Sequence, residues 1–195
     1  MTAEPAHILH SSDQVDESQE YAARYEARLD PEALLLCGLM WVDSAPTGDV
    51  ATVLSYLHAE DFRKPAHGEI FKLMRAQMSE GGLITPAALA GRMAANAMKL
   101  PSDIYTPLLV AIAGLGALPS QVVHYADQVL AESYRRNFDS MATYLTQVAR
   151  EAPEGDLFSL MVEQGTAQRA AWKRRCGLLT AVHQPAHNEE ESTDE

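Results

Sequence analysis

The segment from Leu57 to Gly82 constrains the fold most, because it contains signals that end one helix and begin and end the next. Lys64-Pro65 predicts a helix start, since proline fits the first turn of a helix and disrupts later turns. Gly81-Gly82 predicts its end, because glycine readily adopts the left-handed conformation that closes a helix. The apolar residues between them recur at helical spacing: Ile70, Phe71, Met74 and Met78. This segment is therefore predicted to be a buried helix of an all-helical core.

Four further helices are predicted before residue 118, on either side of this segment. Asp30-Pro31-Glu32 combines a capping aspartate, a first-turn proline and an acid at the positive helix end, and the helix that follows to Trp41 is apolar on nearly all sides. Such a helix belongs at the centre of a core. Shorter helices are expected over 50–57, from Thr85-Pro86 to Ala97, and over 107–115, with a loop over 99–106.

Two long helices are predicted in the rest of the chain, over 121–150 and 157–175, joined by a tight turn at 152–156. Each helix carries an apolar seam with residues every three or four positions. Together they form an antiparallel hairpin, which cannot bury both seams alone and should dock on the globular part or on a second copy. The seam residues are Leu130, Tyr134, Phe138, Met141, Leu145 and Val148, then Leu157, Leu160, Met161, Gln164, Ala167 and Ala171.

Acidic residues crowd both ends of a chain whose net charge is −12. We expect disordered acidic tails over 1–18 and 177–195, a helical head over 19–118 that begins with a short polar helix at 19–29, and the hairpin over 119–176. A negative net charge disfavours direct binding to nucleic acid, since a polyanion is repelled at long range.

The sequence also predicts a cytoplasmic location. No apolar run approaches the roughly 20 residues that a membrane span needs. The first ten residues do not have the basic and apolar regions of a secretory signal. Cys37 and Cys176 are far apart in sequence, and reduced thiols are the simpler interpretation.

The central segment resembles the core signature of the N-terminal domain of DnaB-type replicative helicases. In that family an acidic–aromatic pair precedes a helix that reads His-x-x-Ile-(Phe/Tyr). The first core helix is also similar, since the family pattern Glu-x-x-Val-Leu-Gly-x-(Leu/Met) is followed from Glu32 to Met40, with Cys37 where a second glycine often lies. The signature residues in this chain are Asp61, Phe62, His67, Ile70, Phe71 and Met74.

A third segment of the chain is similar to the family and departs from it locally. Pro119-Ser120 followed by Tyr125-Ala126 and Val129 matches a family pattern, but the segment is about two residues shorter and lacks the usual asparagine. The resemblance extends over about 31–175. It implies an all-α fold with a compact head of about six helices followed by a long antiparallel hairpin.

The resemblance further implies a non-catalytic interaction module of DNA replication in a bacterium or phage. Domains of this family pair through their hairpins, form a trimer-of-dimers collar on the helicase hexamer, and bind primase and loading factors. The seam residues alone leave open whether they face a partner or hold the two arms together. The implied partner-binding residues are Tyr134, Phe138, Met141, Leu145, Leu157, Leu160 and Met161.

Signals for chemistry are absent from the sequence. No glycine is followed directly by lysine, so the phosphate-binding loop of an ATPase is missing and neither ATPase nor unwinding activity is expected. No catalytic or cofactor-binding residues are identified. The pairs His58 with Asp61 and His183 with His187 do not assemble four metal ligands, so no metal is expected. His67 is interpreted as a structural histidine that hydrogen bonds the preceding loop near Asp61.

The alternative function is a helix-turn-helix DNA-binding regulator. Residues 84–93 have the look of the first helix of that motif. A recognition helix rich in outward-facing Arg, Lys, Asn or Gln should follow, but only Asn96 and Lys99 come before Pro101. The sequence therefore favours the replication module, which could join the resident helicase, compete for primase or loader, or be an inactive remnant.

Overall fold

The structure is a computed structural model that describes residues 29–42, 48–95 and 101–183. Over these residues the chain is all-α, as predicted, and its last two long helices form an antiparallel hairpin beyond a five-helix head. The predicted tail over 1–18, the predicted helix over 19–29 except for Leu29, and residues 184–195 lie outside the described residues. The helices are α1 (Pro31–Met40), α2 (Gly48–Tyr56), α3 (Pro65–Ser79), α4 (Pro86–Ala95), α5 (Ser102–Ala113), α6 (Val122–Glu151) and α7 (Leu157–His183), with 3₁₀ turns at Ala59–Asp61, Pro119–Gln121 and Glu154–Asp156.

Helix α1 is the centre of the head. It begins as predicted, with the Asp30 side chain accepting a hydrogen bond of 2.9 Å from the backbone N–H of Glu32. Eight of its ten residues are buried, because α3, α5 and α6 all pack against it. At Gly38 a Cβ atom would lie 2.9 Å from a methyl carbon of Val122 and 3.2 Å from the carbonyl oxygen of Leu118. Helix α6 therefore approaches α1 at a position where only glycine leaves enough room.

Helix α3 also begins and ends where the sequence predicts. Pro65 is in its first turn, and Gly81 follows its end at a φ of 76°. The rings of Phe62 and Phe71 lie 5.0 Å apart in the core, so a residue three positions before the helix packs on the helix itself. The start of α3 also touches the 3₁₀ turn, because a Cβ atom at Gly68 would lie only 2.5 Å from the carbonyl oxygen of Ala59.

This close approach predicts that Gly68→Ala destabilises the protein by about 1–3 kcal/mol, the usual cost of overpacking, since backbone lies on both sides of the contact. Gly91→Ala is the matched control, because Gly91 is an exposed glycine of α4 with no atom near its missing Cβ. That change should stabilise the protein by about 0.5–1 kcal/mol through higher helix propensity. Urea unfolding followed by circular dichroism measures both changes in the free energy of unfolding. Two changes of the same sign would contradict the expectation.

Helix α5 begins five residues earlier than predicted and contains Pro107 in its interior. The prediction placed proline in the first turn, where a helix tolerates it best. In the structure Pro107 lies little more than one turn from the helix start, so the carbonyl that loses its partner belongs to Asp103, four residues earlier. Asp103 is exposed, so water can bond to that carbonyl.

Helix α7 extends to His183, beyond its predicted end near Arg175 and seven residues into the region predicted as a disordered tail. Leu178 is fully buried in the head, and Gly177 lies against the ring of Tyr56, where a Cβ atom would be 2.8 Å from a ring carbon. The end of α7 therefore packs on α2, and the boundary predicted at 176 falls inside the folded part. None of the described helices is both long and apolar enough to cross a membrane.

Candidate interaction site on the helical hairpin

The six signature residues are all buried in the structure. Phe62, Ile70, Phe71 and Met74 belong to the apolar core, whereas Asp61 and His67 bring polar groups into it. Because a buried polar group is costly without hydrogen bonds, the partners of these two side chains decide what they do.

Asp61 joins the head to both arms of the hairpin. Its carboxylate accepts hydrogen bonds from Ser133 of α6 at 2.9 Å and from two guanidinium nitrogens of Arg174 of α7 at 2.6 and 2.8 Å. It also accepts the backbone N–H of His58 at 2.7 Å, and Arg136 donates to the Asp61 carbonyl. Each of these bonds has a charged donor or a charged acceptor, and each lies in a buried or partly buried place. We call this set the Asp61 junction.

His67 is paired with Glu32 and not with Asp61, which corrects the prediction. Its Nδ1 lies 3.0 Å from a Glu32 carboxylate oxygen, and both side chains are almost fully buried. The same carboxylate accepts the backbone N–H groups of Arg63 and Lys64 at the start of α3. Glu32 therefore caps α3 from 31 residues away in sequence and neutralises its positive end.

A metal ion has three candidate ligands among the described residues, Asp30, Glu32 and His67, whose ligand atoms lie within 4.8 Å of one another. Their oxygens already accept hydrogen bonds from backbone amides and from the Lys64 ammonium group, which is 2.6 Å from Asp30. A cation would have to displace this ammonium group. The cluster is explained by the capping of two helices.

The arginine and lysine residues of the hairpin divide into those with a partner in the described structure and those without an ion pair there. Arg136 and Arg174 belong to the Asp61 junction, and Arg175 forms a 2.8 Å ion pair with Asp127 of α6. The hydrogen bond to this carboxylate raises the pKa of Arg175, so its charge is permanent. The other set is exposed and has no ion pair with any described residue: Arg135, Arg169 and Lys173, and Arg150 near the turn of the hairpin.

An apolar groove runs between the two arms beside the Asp61 junction, and we call it the basal groove. Phe138 and Trp172 are half exposed there, and the rings of Tyr134 and Phe138 lie 6.2 Å apart. The side-chain oxygen of Gln168 is buried without a hydrogen-bond partner. The lining residues are Tyr134, Phe138, Met141, Gly165, Gln168, Arg169 and Trp172.

A second apolar surface lies on α7 nearer the turn of the hairpin, where Met161 continues the helical stripe of Gly165, Gln168 and Trp172, and we call it the distal face. It consists of Phe158, Met161 and Val162, which are 71%, 49% and 47% exposed. These residues are one helical turn apart, so they form one continuous patch. Apolar side chains grouped in this way on a folded surface indicate an interaction site.

Four of the seven residues predicted to bind partners lie on these two surfaces. Tyr134, Phe138 and Met141 line the basal groove, and Met161 is on the distal face. The remaining three, Leu145, Leu157 and Leu160, are half-buried. Sequence reasoning missed Trp172 and Phe158, although helical spacing from Met161 through Gly165 and Gln168 to Trp172 was available as a signal.

The described residues offer little to the DNA-binding alternative. Helix α4 spans most of the segment that resembled a first helix. The next described helix, α5, contains no lysine or arginine, and its one charged residue is Asp103. A helix without cations lacks the Arg and Lys side chains that neutralise phosphates and supply most of the affinity for DNA.

Fold and site together define an all-α head-and-hairpin domain whose polar groups hold the hairpin in place and whose exposed groups are apolar and basic. The chain belongs to the family of DnaB-like helicase N-terminal domains, because the sequence model of that family matches residues 26–131, more than half of the chain. The part found in this chain is the non-catalytic N-terminal domain, and no ATPase domain is detected.

The fold is also similar to a solved structure, the crystal structure of the N-terminal domain of DnaB helicase from Mycobacterium tuberculosis. The TM-score is 0.59 at 21% sequence identity, and the match covers 72% of this chain and 94% of that one. At this identity the likeness shows a common fold. A comparison with curated protein sequences gave no significant match.

Proposed function

We propose that this protein is a non-catalytic interaction module of DNA replication that acts in the cytoplasm. It pairs with a second copy through the hairpin and binds a replicative helicase, a primase or a helicase loader. The observation that supports the proposal most is the exposed distal face of α7, with Phe158, Met161 and Val162 in one patch. Membership in the DnaB-like N-terminal domain family supports the replication context.

The attachment of the hairpin suits such a function. The Asp61 junction fixes both arms to the head through charge-assisted bonds, and the last turns of α7 pack on α2. A surface that is already ordered before binding loses less conformational entropy when a partner docks. The distal face is therefore presented at a fixed position relative to the head, as a symmetric pairing of two copies requires.

Self-association predicts the effect of Met161→Asp. We expect the unchanged protein to be a dimer or a larger oligomer and the variant to be a monomer, because a carboxylate at the centre of an apolar interface loses its hydration. Circular dichroism should stay unchanged, since residue 161 is about half exposed in one copy. Light scattering after size exclusion measures the mass.

Ala170→Asp is the matched control for this change. Ala170 is exposed on α7 and lies nine residues after Met161, which places it on the opposite side of the helix. The control should keep the mass of the unchanged protein. A monomeric unchanged protein, or equal loss of mass in both variants, would contradict pairing through the distal face.

Partner binding is tested by mixing the protein with the replicative helicase and the primase of its host. Co-elution with one of them from a size-exclusion column is expected. If the protein co-elutes with none of the helicase, the primase and the loader, the replication part of the proposal is overturned, whatever the oligomeric state of the protein.

A further inference from the structure

Three cations without an ion pair to any described residue lie in or beside the basal groove, although the net charge of the chain is −12. Arg169 lines the groove, Lys173 follows it by one turn on the same side of α7, and Arg135 lines the cleft that continues past Phe138 on α6. None of the three forms an ion pair within the described part of the chain, whereas the neighbouring Arg174 and Arg175 both do. Asp139 is the carboxylate among the residues that line the two clefts.

The floor of the groove has the opposite character. Half-exposed aromatic rings of Phe138 and Trp172 provide apolar surface, and Gly165 leaves room between the arms because no atom lies near its missing Cβ. The Gln168 amide also lines the groove, and its oxygen accepts no hydrogen bond. A peptide N–H in the groove would supply the missing donor after a rotation of this side chain.

We propose that the basal groove binds a linear peptide segment of a partner protein in which an aromatic or aliphatic residue is flanked by carboxylates. The apolar residue packs between Phe138 and Trp172, a peptide N–H donates to Gln168, and the carboxylates pair with the surrounding cations. The inference rests on the proposed function in that the ligand is a protein. It assigns this ligand to the end of the hairpin next to the head, whereas the distal face proposed for self-association lies nearer the turn.

Charge complementarity favours an acidic segment over other ligands. A basic segment would meet three cations and, among the residues that line the two clefts, a single carboxylate, Asp139. A second copy of this chain is the competing occupant, because the turn of the hairpin carries Glu154 and Asp156 next to the exposed Phe158. The experiment must therefore separate a partner peptide from a second copy.

Trp172 makes this experiment direct, since the chain contains only two tryptophans. In a Trp41→Phe background, Trp172 fluorescence reports on the groove alone. The probe is a short synthetic peptide with two phenylalanines flanked by aspartates, and its control has lysines in place of the aspartates. We expect a saturable change in fluorescence with the acidic peptide, none with the basic peptide, and weaker binding as salt is raised.

Charge reversal at the groove tests the role of the cations. The double variant Arg169→Glu/Lys173→Glu should weaken binding of the acidic peptide by about tenfold or more, as loss of interfacial charge pairs does. Arg150→Glu is the matched control, because Arg150 is exposed on α6 near the turn of the hairpin, and it should bind as the parent does. No response to the acidic peptide, or equal affinity in the charge-reversed variant, overturns the proposal.

Occupation of the groove by a second copy would also overturn it. In that case Trp172 fluorescence changes on dilution without any peptide, and the change follows dissociation of the oligomer. Light scattering on the same samples reports self-association independently. If the protein is a dimer and does not bind the peptide, only the proposed peptide ligand is refuted. If it is a monomer and binds the peptide, only the proposed self-association is refuted.

Discussion

Replacing Asp61 with alanine should lower the free energy of unfolding by about 3–5 kcal/mol, the cost of removing one partner from a buried ion pair. The Asp61 side chain is 3% exposed and the Arg174 side chain 22%, so the guanidinium left behind is poorly solvated. Ser133, which is also buried, would lose its acceptor. Because the bonds come from both arms, the hairpin should loosen from the head.

Asp127→Ala is the matched control for this prediction. Asp127 also pairs with an arginine of α7, but the two side chains are 29% and 36% exposed, and a pair of that kind contributes about 0–1 kcal/mol. Urea unfolding measured by circular dichroism compares the two variants. A loss below about 1 kcal/mol for Asp61→Ala would show that water replaces the carboxylate and that the junction is not a major source of stability.

A double-mutant cycle identifies where the loss arises. Arg174→Ala removes the cation, and the combined change with Asp61→Ala should cost clearly less than the sum of the two single changes. Additive effects would mean that Asp61 acts mainly through Ser133 and the turn.

Replacing Glu32 with alanine should cost about 1–3 kcal/mol, because the buried ring of His67 loses its partner and two partly buried backbone N–H groups lose their acceptor. Two backbone N–H groups at the start of α3 and the ring of His67 depend on this carboxylate. The loss should therefore appear in α3 and at the 3₁₀ turn before it. Hydrogen exchange of the Arg63 and Lys64 amides measures this local effect together with the global unfolding energy.

Glu132→Ala provides the control, since Glu132 is an exposed carboxylate that lines the same surface cleft as Glu32. It should change stability by no more than about 0.5 kcal/mol. If Glu32→Ala behaved like Glu132→Ala, the amides at the start of α3 would have to be satisfied by water, and the capping role of Glu32 would be wrong.

The helices were predictable wherever short segments of sequence determine them. Asp30 and Pro31 at the start of α1, Pro65 at the start of α3, and Gly81 beyond its end act through their own backbone conformations and nearest neighbours. The hairpin was predictable because an apolar seam with helical spacing persists over its length. The local rule that places proline in the first turn of a helix failed at Pro107. This proline lies inside α5, close to its exposed start.

The site depends on contacts that the spacing of residues does not reveal. Asp61 and Arg174 are 113 residues apart, and Glu32 and His67 are 35 residues apart. The basic cluster before Cys176 was visible in the sequence, but only packing shows that Arg174 faces the head whereas Arg169 faces the basal groove. Predicting such partners requires the tertiary arrangement, which no local periodicity supplies.

The contact between the end of α7 and α2 has a consequence for how the chain folds as it is synthesised. Leu178 fills part of the head core, and Gly177 lies against Tyr56, although about 120 residues separate the two partners. Nearly the whole hairpin must therefore leave the ribosome before α2 can make its contact with the end of α7. Head and hairpin should consequently fold together as one cooperative unit, late in synthesis, and not as an early domain followed by an appendage.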